Sequence, residues 1–133
     1  MSEGRRENRK MVRLILDQPL NVSIGSLGAD IRYELQTRNV SYTGFFLDFE
    51  KPGRFPFTPA SIMEIWIDLE AGNRIFFNGK MVRKVMSGDP GSDITGPGIA
   101  VRIIQMDSKT EHQLKEFIDR KIAEKQLHNN KSA

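Results

Sequence analysis

Apolar and polar positions alternate with a period of two along most of the chain and switch to a helical period only near its end. Ile31, Tyr33 and Leu35 alternate with Arg32, Glu34 and Gln36, and Phe45, Leu47 and Phe49 bracket Phe46 and Asp48. Met63, Ile65, Ile67 and Leu69 share one face of a run whose other face carries Glu64 and Asp68. This is the spacing of half-buried strands. Three further runs read as strands. Arg13 to Ile24 contains Pro19, which predicts an edge position or a bulge. Arg74 to Val85 contains Gly79, which predicts a bulge or a sharp bend. Gly98 to Met106 is an apolar run in which Arg102 stands out. Turns are expected at Gly25-Ser26-Leu27-Gly28, over Asn39–Gly44 and at Ala71-Gly72-Asn73, with Gly/Pro-rich loops over Glu50–Ser61 and Met86–Pro97.

From Ser108 the period lengthens. Ser108-Lys109-Thr110-Glu111 has the form of a capping box, and Leu114, Phe117, Ile118 and Ile122 follow at helical spacing. One amphipathic helix is predicted over 108–127, followed by a polar tail, 128–133. Six short strands and one terminal helix make the fold mainly β: a small antiparallel barrel or rolled sheet over 13–107, with the helix as a lid on an open end.

At 133 residues the chain suggests one domain with its own core. It has no cysteine, which excludes disulfides, zinc–thiolate sites and thiol nucleophiles. The first residues lack the apolar stretch of a secretory signal, and no run approaches the length of a membrane span. A soluble cytoplasmic protein without membrane insertion is therefore expected. The net charge of +3 is localised: Arg5, Arg6, Arg9, Lys10 and Arg13 against Glu3 and Glu7 account for all of it, and the rest of the chain is balanced. Residues 1–12 read as a flexible basic arm, and a single localised anion contact is favoured over a broadly basic nucleic-acid surface. Catalysis has little support. His112 and His128 have no carboxylate or nucleophile at a telling spacing, Ser41 has no histidine nearby in sequence, and no metal-ligand cluster is visible.

Two short strings point to binding instead. Asn39-Val40-Ser41-Tyr42-Thr43-Gly44 joins two strand signals, and a turn of this composition leaves backbone N–H groups and short polar side chains outward, as small anion sites do. Arg9-Lys10-Met11-Val12-Arg13 sets two guanidinium groups four residues apart where the arm meets the first strand. Arginine forks match phosphate oxygens and the O6/N7 edge of guanine. Each string alone is common in ordinary turns and basic tails.

Together, in this order, R-x-x-x-R entering strand one and N-x-S-x-x-G after strand two resemble the PilZ domain, a bacterial receptor for cyclic di-GMP. Arg13-Leu14-Ile15-Leu16-Asp17-Gln18-Pro19 looks like that family's first strand, which selects Arg9 and Arg13 as the pair, and Gly98-Ile99-Ala100-Val101-Arg102 resembles its last. The resemblance implies a six-stranded antiparallel barrel of split-barrel type with a C-terminal helix. It also implies cyclic di-GMP as ligand, no cofactor, no enzymatic activity, and a protein effector in motility, biofilm or exopolysaccharide machinery. Arg9 and Arg13, with Lys10 beside them, would grip guanine and phosphate; Asn39 and Ser41 would hydrogen-bond the ligand; Gly44 would keep the backbone close and its conformation permissive. Asn39 stands where an Asp is commoner. Arg102 would either face the ligand or pair with an outward carboxylate. The sequence also admits two other readings: a degenerate module of the same family without nucleotide binding, and a barrel that stacks single-stranded nucleic acid on Phe45, Phe46, Phe49, Phe55 and Phe57.

Overall fold

A computed structural model describes residues 13–26 and 32–132, with side chains described through Leu127. The alternating segments become six strands: β1 (Leu14–Ser26), β2 (Arg32–Val40), β3 (Gly44–Asp48), β4 (Met63–Asp68), β5 (Arg74–Val85) and β6 (Gly98–Gln105). They pair in the order β1-β2-β3-β6-β5-β4, and β4 pairs back with β1, closing a barrel in which every pair is antiparallel. Closure leaves no free sheet edge and gives each strand one face toward a common interior. Val22, Ile24, Met63, Ile65, Ile67, Ile75, Phe77 and Ile99 fill it, each at most 1 % exposed. Phe45 stacks on Phe77 across that interior, with centroids 5.4 Å apart.

The two barrel ends are closed by different means. At one end the loop between β3 and β4 folds Phe55 and Phe57 inward, both buried and packed edge to face on each other. Tyr33 is the exception to the predicted alternation, 38 % exposed, because its ring ends against the edge of Phe57 rather than in the core. At the other end lies the C-terminal helix. A one-turn helix, α1 (Ser92–Thr95), interrupts the loop before β6, and α2 (Ser108–Ser132) follows it. Leu114, Phe117 and Ile118 of α2 enter the core and Ile122 packs at its margin. Polar contacts tie α2 to three places on the rim: Tyr42 Oη donates to Asp119 at 2.5 Å, Lys121 pairs with Glu70, and Lys125 Nζ donates to the Ile15 carbonyl.

Several boundaries differ from the sequence reading. Gly25 and Ser26 remain in β1, paired with Glu64 and Met63, because β4 extends the ladder past the predicted turn; Leu27, Gly28 and Ile31 lie outside the described residues. Pro19 does mark an irregularity: the β1–β2 register shifts between Ile15 and Leu20. The helix cap is Asp107, one residue before the proposed box. Its carboxylate accepts the Thr110 amide at 2.7 Å, and its carbonyl accepts the first helical bond, from Glu111. A carboxylate is the stronger acceptor and also meets the positive end of the helix dipole. The helix runs on to Ser132 rather than fading near Leu127, since no Gly or Pro stops it.

The cap carries a pH prediction. Hydrogen bonds from Thr110 hold the Asp107 carboxyl below its ordinary value. A depressed folded-state pKa contributes stability that is present above the unfolded value, about 3.9, and lost as pH falls through the folded one. Asp107→Ala should therefore melt earlier than wild type near neutrality, with the gap closing as the pH falls below the ordinary carboxylate range. A gap that stays constant into strong acid would show that the carboxylate charge contributes nothing.

Candidate functional site

Two β-bulges decide which side chains reach the outer face of the barrel. In β2, Thr37 is fully buried, and strict alternation would turn Asn39 inward as well. The β2–β3 register shifts between these residues, leaving Arg38 as the extra one. The Thr37 hydroxyl lies 2.6 Å from the Phe46 carbonyl and 3.1 Å from that of Asn39, satisfying the broken ladder from inside. Asn39 is thereby placed outward and Val40 inward. The second bulge lies in β5, where the register to β6 shifts between Met81 and Arg83. Met81 is buried, so regular pairing would drive the Arg83 guanidinium into the core at a large desolvation cost. The extra residue, Val82, is pushed out to 57 % exposure and Arg83 emerges opposite Ala100. Re-aiming a side chain is a recurrent use of such bulges.

The register then sets one row across five strands: Ile15, Asn39, Phe46, Ala100 and Arg83, each opposite the next. Beside it, Gly44 faces Arg102, which faces Lys80. All of these except Ile15 and Lys80 line a cleft of about 360 Å³ whose polar rim includes Arg13, Asn39, Ser41, Arg83 and Arg102. Thus five of the residues singled out from sequence, Arg13, Asn39, Ser41, Gly44 and Arg102, line one cleft. Arg9 and Lys10 lie outside the described residues.

Among the described residues no Asp or Glu lines this cleft, and none of Arg13, Arg83 and Arg102 forms an ion pair. Three guanidinium groups without a carboxylate concentrate positive potential in one concavity. This corrects the charge map drawn from composition. The chain after Arg13 is neutral by count but not by distribution, and Arg102 faces the cleft instead of pairing with a carboxylate. A larger cleft of about 830 Å³ lies between the start of β1, the β4–β5 turn and α2, but there Lys121 pairs with both Glu70 and Glu124.

The turn itself is shorter than predicted and works differently. Asn39 and Val40 end β2 and Gly44 opens β3, leaving Ser41, Tyr42 and Thr43 between them. Ser41 Oγ accepts the amides of Thr43 at 3.3 Å and Gly44 at 3.1 Å, and the Ser41 amide donates to the Gly44 carbonyl at 2.9 Å. Three of the N–H groups expected to face an anion, those of Ser41, Thr43 and Gly44, are spent inside the turn, so the positive character of the site comes from side chains. Gly44 is likewise explained by space rather than by a left-handed conformation. A Cβ there would sit 2.3 Å from the Val101 carbonyl oxygen. Tyr42 points the other way, onto the core margin and Asp119; the hydrogen bond to that carboxylate, then burial, raises its phenol above the ordinary value.

Sequence reading missed Arg83. The available signal was the parity conflict: Met81 and Arg83 share a face under strict alternation, one apolar and one charged, which marks a bulge between them. The phenylalanines proposed as stacking platforms are unsuited to that role, since Phe45, Phe46, Phe55 and Phe57 are all buried. Among the described residues no His, Cys, Asp and Glu side chains gather as a metal site, and no helix is long and apolar enough to cross a membrane.

Comparison with known proteins adds to this geometry. A family model described as the PilZ domain matches residues 3–120. No curated protein matches the chain in sequence. Among solved structures, the Bacillus subtilis inhibitor of motility (MotI/DgrA) is similar with a TM-score of 0.63 at 16 % identity, over 84 % of this chain and 51 % of that one, so this chain spans about half its length. The PilZ domain with c-di-GMP of YcgR from Escherichia coli is similar with a TM-score of 0.61 at 18 % identity, over 90 % of this chain and 95 % of that one. The Borreliella burgdorferi PlzA protein in complex with c-di-GMP gives a TM-score of 0.51 at 12 % identity, over 87 % and 44 %. At these identities the likeness is one of fold.

Proposed function

The chain belongs to the PilZ domain family, and from that premise we propose that it is a bacterial, cytoplasmic receptor for cyclic di-GMP, without enzymatic activity. The observation that carries this reading is the convergence of Arg13, Asn39, Ser41, Arg83 and Arg102 on one cleft that, among the described residues, no carboxylate lines. Cyclic di-GMP offers two phosphodiester anions and two guanines. Guanidinium forks answer both groups, and the Asn39 carboxamide supplies an acceptor and donors for a guanine edge. Two of the similar structures, the YcgR domain and PlzA, are described as holding c-di-GMP, which supports the choice of ligand.

In this reading Arg9 and Lys10 join Arg13 when the ligand arrives, ordering the basic arm over the barrel. The differential contact between the two states is the arm with the ligand, and the change it produces is a surface that a protein effector reads. An effector of motility is suggested by the description of the Bacillus relative as an inhibitor of motility.

The test is calorimetric titration of cyclic di-GMP into the protein, with GTP and cyclic di-AMP as controls. Binding at micromolar affinity or tighter, about 8 kcal/mol, that neither control reproduces is the expected result. Equal binding of all three would reduce the site to a general anion trap. No binding would make the chain a ligand-independent module.

A further inference from the structure

We propose that Arg83, displayed by the β5 bulge, reads the second nucleotide of the ligand and so makes the cleft selective for a dinucleotide over a mononucleotide. The inference rests on the cyclic di-GMP reading and adds a site that neither sequence motif contains.

The row across the barrel supplies the argument. Asn39 stands on β2 and Arg83 on β5, with Phe46 of β3 and Ala100 of β6 between them. Three strand spacings separate the two polar ends, about 14 Å measured along the curved sheet. That exceeds the reach of one nucleobase with its phosphate and suits two linked nucleotides. The ground between the ends is low and apolar: Phe46 lies nearly flush at 9 % exposure, and Gly44 beside it carries no side chain. A ligand can lie across this floor with one guanine at the Asn39–Ser41 end and the other at the β5 end.

At the β5 end the bulge presents two kinds of contact together. Val82, largely exposed, offers an apolar shelf for a base, and the neighbouring guanidinium offers a fork for the O6/N7 edge or the nearer phosphate. A regular β5 would bury Arg83, so the bulge is what brings this cation to the surface, and among the described residues no carboxylate claims it. Arg13 lies at the opposite end, where β1 pairs with the end of β2, so the two arginines hold different parts of one ligand.

Because their contacts are different, the two residues predict different losses. Wild type, Arg83→Ala and Arg83→Gln would be titrated with cyclic di-GMP by calorimetry and with 5′-GMP by chemical-shift perturbation. Both variants should bind cyclic di-GMP about 10- to 100-fold more weakly, the loss of one charged bidentate contact, while 5′-GMP affinity changes less than about twofold on the same scale. In wild type, cyclic di-GMP should shift the amides of Val82–Lys84 and 5′-GMP should not. Since Arg83 is exposed, both variants should keep the wild-type melting temperature. Cyclic di-GMP binding within twofold of wild type in both variants would overturn the proposal, as would equal loss for both ligands. Failure of wild type to bind cyclic di-GMP at all is a distinct result, which removes the underlying reading and this inference with it.

Discussion

Arg13→Ala should lower cyclic di-GMP affinity by about 100-fold or more and leave the melting temperature where it was. Arg13 is exposed, precedes β1, and among the described residues forms no ion pair, so the described part of the fold does not rest on its side chain. Its contribution to binding has two parts. A guanidinium fork on a phosphate or guanine edge contributes about 1.5–3 kcal/mol as a charged hydrogen-bonding group. Removing it also leaves a ligand anion less fully neutralised in a concavity where the field is focused. Together these come to about 3 kcal/mol, and each 1.4 kcal/mol is a factor of ten in affinity. Arg13→Lys is the informative companion. It keeps the charge but not the fork, and should recover only part of the loss. Full recovery by lysine would mean that Arg13 acts as a point charge, and an unchanged affinity in Arg13→Ala would remove it from the site. The measurement is calorimetry at two salt concentrations, since a loss that is mainly Coulombic shrinks as salt rises.

The sequence was most legible where alternation is regular and least where it breaks. Met63, Ile65, Ile67 and Leu69 were readable as one inward face because β4 pairs without a shift. The cleft depends on the two places where parity fails. At each, a run of period two meets a residue that cannot follow it: Asn39 after buried Thr37, Arg83 after buried Met81. A local pattern registers such a conflict but does not resolve it, since the position of the extra residue is set by the partner strand. The same holds for charge. Arg13, Arg83 and Arg102 are distant in sequence and their signs are cancelled by acids elsewhere, so only closure of the barrel reveals that they meet. The motif turn is legible in the sequence, but its mechanics are not. The composition that permits outward amides also permits Ser41 to consume them, and the choice is made by hydrogen-bond geometry. Contacts such as Tyr42 with Asp119, 77 residues apart, leave no local signature.

Gly44→Ala should cost about 3 kcal/mol of stability, the upper range for overpacking a closed structure. The added Cβ would lie 2.3 Å from the Val101 carbonyl oxygen, 3.3 Å from its carbon and 3.4 Å from the Arg102 Cα. All three are backbone atoms, so no side chain can rotate aside. Relief requires β3 and β6 to part by about an ångström where their spacing is normally about 4.8 Å, and Thr43 just before Gly44 accepts a 2.9 Å bond from the Ile103 amide that would stretch with them. A closed barrel has no free edge to absorb the displacement, so the strain passes to the β2–β3 turn and the floor of the cleft. For a chain of this size the loss corresponds to a drop of about 10 °C in Tm. Gly53→Ala is the control, because a Cβ there would meet only the flexible Met86 side chain at 3.5 Å. It should stay within about 0.5 kcal/mol of wild type. Denaturant titration of both variants separates two explanations of the motif glycine. If the glycine is needed for the close approach of β3 to β6, the alanine variant loses stability and affinity together. If it were needed only to admit the ligand, affinity would fall while stability held.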